Sequence, residues 1–192
     1  MSKAQVRTLR VINAVCERLP RFMLPGPELA GQRLDPFLAI LRRLRKVKGL
    51  PPLWQLTPEA AREQIRQELL PLRAQWSVAS VDDIEIDGAD GRLAARHYRP
   101  EAGKAVPVLL VYFHGGGYVV GDLDTHDDVC RLLCREAGVQ VLSVAHRQAP
   151  EHPFPAGLND ALAAMRWASL HAPAWGIDAK AIAIGGDSSG AS

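Results

Sequence analysis

Ser188 stands in the run Gly186-Asp187-Ser188-Ser189-Gly190, a G-x-S-x-G pattern placed directly after the apolar segment Ala181-Ile182-Ala183-Ile184. A serine on a sharp strand-to-helix turn is exposed for attack, and small neighbours such as Gly186 and Gly190 let the turn close without clashes. Its hydroxyl becomes a nucleophile only beside a base that takes its proton. Upstream, His114-Gly115-Gly116-Gly117 also follows an apolar run. Glycines let backbone N–H groups point together at a developing negative charge, and the N–H of Ser189 contributes whatever its side chain. The elbow alone describes a tight strand-helix junction equally well. With the glycine loop in the expected chain order, the pair points to acyl transfer. Ser188 is the candidate nucleophile, and Gly115, Gly116, Gly117 and Ser189 form the candidate oxyanion hole. Asp187 is an elbow residue whose side chain orients its neighbours. Tyr118 either lines a substrate pocket or packs.

These residues need a scaffold that presents both loops together. Val106 to Phe113, Val139 to Ala145 and Ala181 to Gly185 are nearly continuous apolar strands, as expected when helices cover both sheet faces. Between them, a helix is predicted from Asp124 or Thr125 through Arg135, ended by Gly138, and another carries Leu158, Leu162 and Met165. The alternation implies a parallel sheet of α/β class. Ahead of it, Ile84 and Ile86 alternate with acids, Gly88-Ala89-Asp90-Gly91 turns the chain, and Leu93 to Arg99 returns as a hairpin partner. The first third is helical: Val6 to Leu19, then Leu34 to Leu44 closed by Gly49, then a start at Thr57-Pro58-Glu59 with Ile65, Leu69 and Leu72 on its apolar face. This region, residues 1–77, is either a packing layer or a lid. Residues 78–192 form the core.

Composition narrows the function classes. With 192 residues, 47% of them hydrophobic and 23% charged, the chain can bury a substantial core. A net charge of +2 does not point to nucleic acid. The cluster Arg42 to Lys48 reads as a basic helix end favoured by the helix dipole, ahead of an anion or membrane contact. Cys130 and Cys134, one helical turn apart, match no zinc or thioredoxin spacing and read as small buried hydrophobes. No secretory signal and no membrane span are evident, so a cytoplasmic location is expected.

Four blocks together resemble the hormone-sensitive-lipase-like (family IV) branch of the α/β hydrolases: His114-Gly115-Gly116-Gly117, Gly121-Asp122-Leu123-Asp124-Thr125-His126-Asp127, Ala149-Pro150-Glu151-His152-Pro153-Phe154-Pro155-Ala156, and the elbow at Ser188. The resemblance implies a three-layer α/β-hydrolase sandwich with a hairpin at its start and an N-terminal helical cap. It implies hydrolysis of short- to medium-chain carboxylic esters through an acyl-enzyme, without cofactor or metal. By position, Ser188 matches the nucleophile, Gly116, Gly117 and Ser189 the oxyanion donors, Gly115 completes the loop, and His114 holds it in shape. The complete protein is a possible homodimer. The same scaffold also serves amidases or formamidases, and non-catalytic ligand binders.

Three departures stand out. Ser189 occupies a position where the family commonly has Ala; His146 and Gln148 stand where it usually has Tyr and Leu. Finally, the family's acid and base His follow the elbow, beyond residue 192. None of His97, His114, His126, His146, His152 or His171 is favoured as a substitute base: His97 is expected on an edge hairpin, and His171 at a helix end. The expectation is therefore an N-terminal part of an esterase, truncated after the nucleophile elbow, poorly soluble and almost inactive by itself.

Overall fold

Pairing of the apolar runs builds a five-stranded sheet in the computed structural model, which describes residues 7, 8, 11, 14 and 28–192. The helix expected over Val6 to Leu19 lies outside the described residues, apart from those four positions. The chain divides into two units at residues 57 and 58. In the first, β1 (Glu28–Leu29) pairs antiparallel with β2 (Gln32–Arg33), and helix α1 (Pro36–Val47) follows. Asp35 caps α1 by accepting from Phe37 N at 2.9 Å, with Pro36 in the first turn. The basic cluster ends this helix, with Arg45 and Lys46 in its last turn.

The second unit contains α2 (Pro58–Leu69), β3 (Ser80–Gly88), β4 (Gly91–Arg99), β5 (Leu109–Phe113), α3 (Asp127–Ala137), β6 (Gln140–Val144), α4 (Ala156–His171) and β7 (Ile182–Gly186). The strand order is β3-β4-β6-β5-β7. The hairpin β3–β4 is antiparallel, β4 joins β6 antiparallel, and β6, β5 and β7 run parallel. The sheet is mixed, with the expected antiparallel hairpin at its start and the expected parallel β6, β5 and β7. Alternation along the strands separates two layers. Leu109, Val111, Phe113, Leu142 and Val144 pack with Ala164 and Ala168 of α4, whereas Tyr98, Tyr112 and Val141 pack with Cys130 and Cys134 of α3. Both thiols are buried, as expected of small hydrophobes.

Two local expectations are corrected. Helix α3 begins at Asp127, after the predicted Asp124 or Thr125, because Thr125 Oγ1 is engaged in the preceding loop. It accepts from Asp122 N while Thr125 N donates to Asp122 Oδ1, both at 2.8 Å. On α4, Leu158 and Leu162 face solvent, 46% and 51% exposed; the sheet instead meets Ala164, Ala168 and the wholly buried Asp160. His97 lies, as expected, on the hairpin that forms one edge of the sheet, on its inner strand β4. Its ring stacks on Trp175 at 3.8 Å and its Nε2 meets Gln140 Oε1 at 2.8 Å.

Asp160 is a carboxylate wholly buried on the inner face of α4. Arg147 grips it through Nε and a terminal nitrogen (2.9 and 3.0 Å), and the Arg147 and Ala89 amides also donate to it. Arg147 reaches on to Asp90 at 2.9 Å, so one pair joins α4 to the β3–β4 turn. Removing one member of a buried pair strands the other. We expect Asp160→Asn to lower stability by about 3 kcal/mol, read from urea unfolding. A loss under about 1 kcal/mol, the scale of an exposed pair, would contradict this account.

Candidate active site

Strands β5 and β7 are adjacent and parallel, with Phe113 opposite Gly186. The segments leaving them therefore emerge side by side at the same end of the sheet: His114 to Gly121 from β5, and Asp187 to Ala191, a single 3-10 turn from Ser188, from β7. Contact between them is intimate. Gly190 lies so close to Phe113 that a Cβ there would overlap the Phe113 carbonyl, and Gly186 packs against the same carbonyl. Asp187 Oδ1 accepts from the Tyr112 hydroxyl at 2.7 Å and from Gly115 N at 2.8 Å. Burial pushes the Asp187 carboxyl upward, but the Tyr112 hydroxyl and the Gly115 amide outweigh it and hold the pKa below the ordinary value.

Ser188 is exposed and carries a left-handed φ of 49°. A non-glycine residue there costs on the order of 1 kcal/mol, a strain expected of a sharp elbow. Tyr118 is also left-handed, at φ 61°, with a side chain 41% exposed. Its amide donates to Ser189 Oγ at 3.3 Å, tying the two motifs a second time. The Tyr118 ring lies edge-on to His146, with centroids 6.3 Å apart.

The loop spends most of its polar groups internally or on neighbours. His114 Nδ1 meets Gly115 O at 2.9 Å, and Gly116 O accepts from Val119 N and Val120 N at 3.2 and 3.0 Å. Gly115, Tyr118, Val119 and Val120 all donate their amides. The amides of Gly116 and Gly117 find no acceptor among the described residues. Of the three glycines expected in the oxyanion hole, Gly115 thus spends its amide on Asp187.

His114 is 1% exposed and stacks on His146, centroids 4.6 Å apart, with His126 at 5.3 Å. Burial lowers its pKa to about 4, and His97 is lowered to about 4 for the same reason. His126 Nε2 lies 3.5 Å from Asp187 Oδ1. No imidazole hydrogen-bonds to Ser188 Oγ among the described residues. Nor do they contain a cluster of three His, Cys, Asp or Glu side chains able to hold a metal ion.

Sequence reasoning missed the outer supports of the loop. From α2, Arg62 donates to Val119 O at 2.7 Å and to both oxygens of Glu151 at 2.7 and 2.8 Å, while Arg66 pairs with Asp122 and Asp124. The bond to Arg62 holds the exposed Glu151 carboxyl at a pKa of about 2. Gln148 donates to Val120 O and Gly121 O at 3.1 and 3.0 Å. Only long-range pairing reveals these partners, because 57 and 89 residues separate Arg62 from Val119 and Glu151. Beside them a cleft of about 440 Å³ is lined by Arg62, Arg66, Gly121, His146 and Gln148; Ser188 is not among its walls.

Both buried imidazoles oppose protonation in the folded state. Because their folded pKa values lie below the unfolded value of 6.5, stability is complete above pH 6.5 and falls as pH drops toward 4. By pH 5 the expected loss is about 1–2 kcal/mol for each imidazole. Urea midpoints that stay level from pH 7 to 5 would refute this.

Residues 110–192 match the family model described as the α/β hydrolase fold. The chain is 44% identical over 163 residues to the carboxylic ester hydrolase LipN of Mycobacterium tuberculosis, covering 83% of this chain and 43% of that protein. It is 37% identical to an ethyl acetate hydrolase of Pseudomonas putida, covering 87% and 52%. Among solved structures, a hyperthermophilic esterase from the archaeon Pyrobaculum calidifontis superposes with a TM-score of 0.70 at 39% identity, covering 79% and 49%. The chain spans about half the length of these relatives.

Proposed function

Starting from a chain that belongs to the hormone-sensitive-lipase-like esterase branch of the α/β hydrolases, we propose that the whole protein hydrolyses carboxylic esters by a serine acyl-enzyme mechanism. Ser188 Oγ attacks the ester carbonyl, and the Gly116, Gly117 and Ser189 amides receive the oxyanion, with Gly115 completing the loop. His114, Gly186, Asp187 and Gly190 hold loop and elbow together, and Tyr118 borders the substrate. Two free glycine amides beside a left-handed serine carry this reading, because an oxyanion hole works through donors already aimed and unspent. Short acyl chains are the proposed substrates, in line with the Pseudomonas relative named for ethyl acetate.

The triad acid and base belong to residues outside 1–192, and the chain 1–192 alone is nearly inactive. Residues 1–77 act as the cap, and 78–192 as the first part of the catalytic domain. No described helix is long and apolar enough to cross a membrane; we place the protein in the cytoplasm, as a possible homodimer.

Two variants of the whole protein, assayed with p-nitrophenyl acetate and butyrate, provide the test. Ser188→Ala is expected to reduce kcat by about 10³-fold or more. Gly116→Ala, whose Cβ would overlap the Val120 carbonyl at a φ of 129°, is expected to lower kcat by about 10²-fold with KM little changed. Turnover surviving Ser188→Ala would end the acyl-enzyme proposal. Faster cleavage of matched p-nitroanilides than of the esters would move it to amide hydrolysis.

A further inference from the structure

The loop that carries the free amides is held through its carbonyls, one after another, by donors from outside it. Tyr118 O accepts from Ala149 N at 2.8 Å, Val119 O from Arg62 Nε at 2.7 Å, and Val120 O and Gly121 O from the Gln148 side-chain amide at 3.1 and 3.0 Å. Four consecutive peptide groups are thereby oriented. This matters because Tyr118 is strained at a left-handed φ of 61°. Gly116, Gly117 and Gly121 turn the chain at positive φ of 129°, 63° and 91°, which glycine adopts freely and which therefore do not hold themselves in place. A loop in such a conformation persists only when its surroundings over-determine it.

Arg62 and Gln148 are the two side chains in this set, and they come from separate elements. Gln148 belongs to the segment following β6, and gives both of its N–H groups to neighbouring carbonyls. Arg62 belongs to α2, and also donates to Ala149 O at 3.0 Å and to both Glu151 oxygens. One guanidinium therefore fixes the loop and the Ala149–Glu151 segment whose amide holds Tyr118. Neither side chain hydrogen-bonds to Ser188 or to the Gly116 and Gly117 amides.

We propose that Arg62 and Gln148 are positioning residues for the oxyanion loop, locking its carbonyls outward so that the Gly116 and Gly117 amides stay aimed at the reacting carbonyl before substrate arrives. The proposal rests on the esterase reading for its catalytic consequence, but the locking itself is a property of the fold. Through Arg62, a helix of the proposed cap region helps to set the hole, so displacing α2 loosens the loop.

Gln148→Glu tests the lock with almost no change of shape, replacing two donors by acceptors that repel the same carbonyls. In the full chain, amide hydrogen exchange of peptides spanning residues 115–121 is expected to rise about tenfold or more, while exchange in β5 and β6 stays unchanged. Ester turnover in the same variant is expected to show kcat lowered about tenfold with KM within about twofold of the parent. Arg62→Lys, which keeps the charge and loses the fork, is expected to produce a smaller rise in the same peptides. Should Gln148→Glu fail to fold, Gln148→Leu removes the donors without adding charge and is read the same way. Unchanged loop exchange in a folded Gln148 variant overturns the proposal. A parent protein with no ester turnover defeats the esterase reading instead, and leaves the exchange result to decide the locking on its own.

Discussion

Asp187 bridges two adjacent strands at the place where both of their loops begin. Its Oδ1 takes a proton donor from the side chain of β5, through Tyr112, and another from the backbone one turn further on, through Gly115. β5 and β7 fix the distance between their ends only through main-chain register. The carboxylate converts that register into a fixed relation between elbow and loop. Because burial opposes its charge, the anion depends on those two donors for its stability, and they in turn are held by it. The close approaches of Gly190 and Gly186 to Phe113 follow from the same geometry.

Behind this bridge lies a division of labour among polar groups. Aromatic stacking and burial surround His114, whose Nδ1 lies against the Gly115 carbonyl. A lowered pKa keeps that ring neutral at pH 7, so the Gly115 carbonyl meets a dipole and not a mobile cation. Further along, the Arg147–Asp160 pair anchors α4 to the hairpin. The network of Arg96 with Asp83, Asp124 and Asp127 ties β3 and β4 to the start of α3. Tyr98 and Arg131 also bond Asp127. Charged groups therefore position the loops, whereas alternating aliphatic residues hold the sheet.

Much of this was legible in the residues. Continuous apolar runs gave strands β5, β6 and β7, because strand burial on two faces leaves a continuous hydrophobic signal, and alternation with acids around a glycine turn gave the β3–β4 hairpin. Gly138, left-handed at φ 67°, ended α3 where a glycine was expected to. Other features were hidden for identifiable reasons. The wholly buried positions of α4 are alanines and one aspartate, so of the large apolar residues that marked the helix Leu158 and Leu162 lie in solvent while Met165 packs on the core. The edge hairpin carrying His97 was legible, but the order of the strands beyond it cannot be read from local pattern. Arg62, Gln148 and Asp160 form partnerships across long stretches of chain, and no spacing rule announces them. The glycines of the loop declared that something approaches closely, while the side chains enforcing its shape gave no such sign.

The alanine face of α4 has a meaning for how this protein can change over time. Ala164 and Ala168 are wholly buried between the helix and the strands, and a wider residue at either would force the helix outward, carrying with it the segment that leads into β7. By contrast Leu158, Leu162 and Leu170 stand in solvent. Sequence drift is thus free on the outer side of this helix and closed on the inner one. Within a single helix, three leucines are replaceable and two alanines are not.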